Sequence, residues 1–180
     1  MPKPRLPWNQ HQITSAASLQ ANGCYTRYLH MQLFSKPQQY PETLIAPMRQ
    51  DLARFGVQEA RTAADVDALL APGSGSVMIV TNSVCGCAAG RARPAIGIAL
   101  GHSTRPDKSA SVFAGADIEA VSRVRELLPG VAPSSPSVAI FREGKPVFVL
   151  HRRDIESREA PEIARILTEA FDRYCARQPA

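Results

Sequence analysis

What this chain does not contain narrows its possible roles. No apolar run approaches the roughly 18 residues of a membrane-spanning helix, so no membrane partner is expected. Lys3 and Arg5 stand near the N-terminus, but the apolar stretch of about 7–15 residues that completes a secretory signal does not follow them. Basic residues outnumber acidic ones by 21 to 16, for a net charge of +5, yet no block of like charges forms. Arg49, Arg54, Arg61, Arg91, Arg93, Arg123, Arg142 and Arg152 are scattered, and a basic chain without a patch does not indicate nucleic-acid binding. Four cysteines in 180 residues are too few for a disulfide-stapled secreted scaffold. The expected compartment is therefore the cytoplasm, where a close pair of cysteines points to redox chemistry or metal binding.

What is present suits one domain with a full core, since 180 residues are 44% apolar. Residues 1–40 are rich in Gln, Pro, Ser and Asn and show no sustained period, which predicts a disordered extension. Cys24 in this stretch has no local partner, and Met31 offers a second possible start of translation. The domain is expected over 41–177. Leu44, Met48, Leu52 and Phe55 share one helical face, with Gly56 as a stop. Thr62 opens a second helix with a capping-box-like start, and Pro72-Gly73-Ser74-Gly75 ends it.

Val77-Met78-Ile79-Val80-Thr81 is a short continuous apolar run, which suits a central strand covered on both faces. A helix is expected from Cys85 or Gly86 to Leu100, kinked at Pro94. Ser111 to Ala114 reads as a strand, and Asp117 as the cap of a helix carrying Val121, Val124, Leu127 and Leu128. Two strands follow, Ser137 to Phe141 and Pro146 to Leu150, joined by a hairpin signal at Glu143-Gly144. Ile163, Ile166, Leu167, Ala170, Phe171 and Tyr174 give the last helix its apolar stripe. From Val77 the order is strand, helix, strand, helix, strand, strand, helix. That is the order of the thioredoxin core: three α/β/α layers around a mixed four-stranded sheet, here with two added N-terminal helices.

Cys85-Gly86-Cys87 directly follows the first core strand, at the start of a helix. A helix N-terminus offers unpaired N–H groups and partial positive charge, which favour a thiolate over a thiol. Cys85 is the expected nucleophile and Cys87 the nearest resolving thiol. A disulfide requires Cα atoms about 4.4–6.8 Å apart. Residues two apart meet that only in a narrow range of backbone bends, which Gly86 widens. The small ring is expected to be strained, and therefore to act as an oxidant or isomerase more readily than as a strong reductant. Pro136, just before the first hairpin strand, lies where thioredoxin-like folds place a cis-proline facing the cysteines, and cis is the expected form.

Asn82-Ser83-Val84-Cys85-Gly86-Cys87-Ala88-Ala89-Gly90-Arg91-Ala92-Arg93-Pro94 is similar to the signature of the bacilliredoxin family. The resemblance continues in Pro47-Met48-Arg49, Val112-Phe113-Ala114-Gly115, Pro133-Ser134-Ser135-Pro136-Ser137 and Ile155-Glu156. It closes at Ala170-Phe171-Asp172 with Cys175, and spans about Tyr40 to Cys175. One departure is His151-Arg152-Arg153, where the family has Pro-Arg-His. The resemblance implies a thioredoxin-like fold and removal of bacillithiol, or a similar low-molecular-weight thiol, from S-thiolated proteins. A disulfide isomerase activity is also ascribed to the family. Cys85 would take the small thiol, and Cys87 or a second small thiol would release it. No cofactor is implied beyond that thiol co-substrate. Arg91 and Arg93 follow within two to three turns and suit the carboxylates of such a thiol, although a solvated helix face is the simpler reading.

Cys175 belongs to the family pattern, but the last helix should run away from the active site. From Glu159 to Cys175 it spans about 25 Å at 1.5 Å per residue, so a buried or partner-facing thiol is expected. His102 and His151 are isolated. The competing reading from another class is a zinc or copper carrier using both thiolates, though a structural zinc site normally needs four ligands.

Overall fold

The computed structural model describes residues 39–176. The expected extension, Cys24 and Met31 therefore lie outside the described residues. Helix α1 (Glu42–Ala53) is followed by strand β1 (Gln58–Glu59), helix α2 (Ala63–Leu69) and strand β2 (Ser76–Asn82). A π-helical turn (Ala88–Ala92) leads into α3 (Arg93–Leu100), then β3 (Lys108–Phe113) and α4 (Ile118–Glu126). The hairpin β4 (Ser137–Arg142) and β5 (Lys145–Leu150) precedes α5 (Arg152–Glu156) and α6 (Ala160–Tyr174).

The sheet runs β1-β3-β2-β4-β5. β3 pairs parallel with β1 and β2, whereas β4 is antiparallel to both β2 and β5. The core order is that of the thioredoxin fold, with one strand more than the expected four. The addition, β1, is two exposed residues long, too short to carry an alternating pattern. All seven residues of β2 are buried. Side chains alternate across a strand, so Met78 and Val80 enter one core with Leu52, Ile96, Ile140, Leu167 and Phe171. Val77 and Ile79 enter the other with Val66, Val112, Val121, Val124 and Phe141. These two cores separate the three layers. Among the described residues no helix is long and apolar enough to cross a membrane.

Local chemistry sets the element ends. Thr62 accepts from the Asp65 N–H while the Asp65 carboxylate accepts from the Thr62 N–H, so the capping box forms. Glu143 (φ 49°) and Gly144 (φ 74°) make the hairpin turn, and a side chain at Gly144 would meet the Leu70 carbonyl. Arg142 donates to the Tyr174 and Ala176 carbonyls and so satisfies the exposed end of α6.

One expectation is corrected. Asp117 precedes α4 but makes no side-chain cap there. Its carboxylate instead accepts from the Phe113 N–H and from both Arg49 Nη atoms, because a buried guanidinium outcompetes an exposed helix end. The helix expected from Cys85 or Gly86 to Leu100 forms without a break over 86–100. Pro94 has no N–H to give the Gly90 carbonyl, and the chain opens into the wider π turn before α3 begins.

Candidate active site

Cys85 and Cys87 sit just past the C-terminal end of β2, the end at which sites form in sheets with parallel strands. Cys85 is half-buried, Cys87 is buried and Gly86 between them is exposed. The Cys85 carbonyl accepts from the N–H groups of Ala88 and Ala89, which curls the motif into the following turn. This places Cys85 Sγ 2.6 Å from Cys87 Sγ and 3.2 Å from Ser83 Oγ.

The two thiols differ in acidity. Burial pushes Cys85 up, but hydrogen bonds with Cys87 and Ser83, the Ala88 N–H and the charge of Arg152 outweigh it, leaving Cys85 below the ordinary thiol value. Cys87 is pushed up by burial, by its hydrogen bond with Cys85 and by the charge of Cys85, against the weaker pull of Arg152. Deprotonation therefore falls first on the more exposed sulfur.

Pro136 is buried, and the Ser135–Pro136 peptide is cis. Arg152 ties this loop to the thiols. Its backbone N–H donates to Ser134 Oγ at 3.4 Å and its Nη1 to the Ser135 carbonyl at 3.3 Å, while its charge acts on both cysteines.

The arginines expected on a solvated face or at a thiol's carboxylates divide. Arg91 is part-exposed and pairs with Glu159. Arg93 is buried beneath the motif. Its Nη1 donates to Asn82 Oδ1 and to the Ser83 carbonyl at 3.2 Å each, and its Nε to Asp51 of α1 at 3.1 Å. Asn82 completes the brace, because Oδ1 accepts from the Ser83 N–H and Nδ2 donates to the Met48 carbonyl. Arg93 thus holds the strand end that presents Ser83 to Cys85 and is withdrawn from solvent and from any small-thiol carboxylate.

Sequence reasoning missed Ser83, Asn82 and Arg152 as members of this neighbourhood. Ser83 and Asn82 adjoin the motif and were within reach. Arg152 lies far along the chain and only the fold brings it in.

Cys175 is buried at the opposite end of β2, beside Ser76, and burial pushes its thiol up. The seven-residue strand between the two ends spans about 23 Å. Among the described residues no group of three or more His, Cys, Asp or Glu side chains is arranged to hold a metal ion.

The disulphide isomerase family model matches residues 40–175. A bacilliredoxin from Koribacter versatilis is 50% identical over 136 residues, which cover 76% of this chain and 94% of its own length. One from Salinibacter ruber is 50% identical over 138 residues, covering 76% and 81%. One from Bacillus licheniformis is 42% identical over 139 residues, covering 77% and 96%. Among solved structures, an oxidised thioredoxin from Plasmodium falciparum aligns with a TM-score of 0.48 at 16% identity, covering 67% of this chain and 99% of its own. The match runs from two residues before α1 to the one after α6 and includes the cysteine motif; the chain belongs to the bacilliredoxin family and is a thiol–disulfide oxidoreductase.

Proposed function

We propose that the protein removes bacillithiol, or a similar low-molecular-weight thiol, from mixed disulfides on cytoplasmic proteins, with Cys85 attacking and Cys87 resolving. The observation that carries this reading is the split between the thiols, one lowered and accessible, the other raised and buried. The Cys85 thiolate attacks the small-thiol sulfur of the mixed disulfide. That S–S bond breaks, a new one joins Cys85 to the small thiol, and the client protein leaves as a thiolate that takes a proton from water. The protonated Cys87 does not compete for the first step. Once Cys85 is consumed, the negative charge that raised Cys87 is gone. Cys87 then loses its proton and attacks Cys85 Sγ, releasing the small thiol and leaving a Cys85–Cys87 disulfide. A dithiol reductant resets the pair with two electrons. Pro136 and Gly86 shape the opening at which the client arrives, and Arg152 supplies positive charge to each thiolate in turn. Residues 41–177 carry this activity, and 1–40 form an extension to it.

Protein disulfide isomerisation is the second reading, favoured by the description of the matching family. It uses the same attack, with a client sulfur rather than a small thiol held on Cys85. Metal carriage fits less well, because the remaining described cysteine lies at the far end of β2.

The test mixes reduced protein with a bacillithiol mixed disulfide of a model protein and follows both by intact mass. The parent should clear the client and accumulate its own disulfide. Cys87→Ala should retain one bacillithiol per chain, and Cys85→Ala should take none. Transfer to Cys85→Ala at the parent rate would remove Cys85 from its assigned role.

A further inference from the structure

Next to the cis-proline loop lies a second feature that the chemistry above does not use. A cleft of about 490 Å³ is lined by Gly130 to Ser134 on one side and by His151, Arg152, Arg153 and Glu156 on the other. That is the size of a small-ligand site, too small for a folded client. Its position follows from residues already placed. Ser134 stands two residues before cis-Pro136, and Arg152 both lines the cleft and acts on Cys85 and Cys87. Neither cysteine lines the cleft; Arg152, which lines it, bonds to the Ser135 carbonyl and acts on both thiols, is the link between the two.

The charge in the cleft is uneven. Arg152 is satisfied by Glu156 at 3.0 Å and by the Ser135 carbonyl. Arg153 differs, since its side chain is 82% exposed and its nearest carboxylate, Asp154, stands at 4.0 Å. A planar guanidinium with donors to spare is suited to a carboxylate. The arginine that was expected to do this, Arg93, is locked in the brace beneath the motif.

We propose that this cleft is the seat of the small-thiol half of the mixed disulfide and that Arg153 makes it selective for thiols bearing carboxylates. The proposal rests on the reading of Cys85 as the acceptor of a small thiol. The neutral wall formed by Gly130, Val131, Ala132 and Pro133 receives the carbon skeleton, and Arg153 the anionic end. Arg153 is a specificity-determining residue in this scheme and takes no part in bond exchange.

The test uses one model protein carrying in turn three mixed disulfides: with mercaptosuccinate, which is dianionic, with 2-mercaptoethanol, which is neutral, and with cysteamine, which is cationic. Transfer is read as kcat/KM for each. The parent should favour mercaptosuccinate over 2-mercaptoethanol by about three- to fivefold, the scale of one partly exposed ion pair. Arg153→Ala should bring that ratio to about one, and Arg153→Glu should place cysteamine first. Arg165→Ala, at an exposed arginine on α6 outside the cleft, should keep the parent ratio. A parent without preference, or a preference that survives in Arg153→Ala, overturns the assignment while leaving Cys85 chemistry intact. A parent that accepts none of the three thiols overturns the underlying reading and this one with it.

Discussion

Cys85 owes its reactivity to four neighbours contributed by three parts of the chain. Ser83 comes from the loop after β2, Cys87 and the Ala88 N–H from the motif itself, and Arg152 from α5. Their combined effect exceeds that of burial, so the thiolate is present at lower pH than for an ordinary cysteine. The rate of alkylation by iodoacetamide should therefore rise at a pH below that of a free thiol. Ser83→Ala and Arg152→Ala should each move that rise to higher pH, since each removes a stabiliser of the anion. A profile read at Cys85 itself by tandem mass spectrometry separates it from Cys24, Cys87 and Cys175 and leaves the Cys87 hydrogen bond in place. If neither substitution moves it, the assigned neighbours are wrong. The cysteine pair was legible in the sequence because its members are almost adjacent and follow an apolar run. Arg93 was not. Its partners lie between 10 and 42 residues away, and a helix that looks solvated in one dimension can be buried against an added helix in three.

At the scale of elements, the strongest polar tie is the Arg49–Asp117 pair. Both side chains are buried, and the guanidinium meets the carboxylate in a two-bonded fork at 2.7 and 2.9 Å. The Phe113 ring lies under the same guanidinium, 5.2 Å away. This joins α1 to the end of β3. Asp117→Ala removes both bonds of the fork and the acceptor of the Phe113 N–H, and leaves the buried guanidinium only Glu42 at 3.2 Å and Glu59 at 3.8 Å, so it should destabilise the fold by about 1.5–3 kcal/mol. Urea unfolding followed by circular dichroism gives the value; a loss below about 1 kcal/mol would place the pair in the ordinary surface class. Helices α1, α2, α4 and α6 and the hairpin were legible because each carries its own periodicity or stop signal. β1 and α5 were not, being two and five residues long, too short to repeat the pattern that would reveal them. The π turn was half visible. Pro94 announced a disturbance, but whether a helix bends or widens depends on what packs against it.

For the whole molecule, the arrangement places reactivity at one end of β2 and a buried, raised thiol at the other. The described residues open with Gln39 and Tyr40, which bond to the Ala116 and Gly115 carbonyls. A chain beginning at Gln39 should accordingly keep the melting temperature of the full chain within about 2 °C and its Cys85 alkylation profile unchanged. Calorimetry beside alkylation would check both, and a drop of several degrees would make residues 1–38 part of the folding unit. α1, which from sequence alone was an addition ahead of the core, has a different standing in the structure. Through Asp51 it holds Arg93, through the Met48 carbonyl it holds Asn82, and through Arg49 it holds Asp117. The catalytic turn is therefore keyed to a helix that precedes the thioredoxin-like core. If the two were made as separate fragments, the larger piece would contain both cysteines and remain incomplete, and activity would report on whether the pieces had found each other.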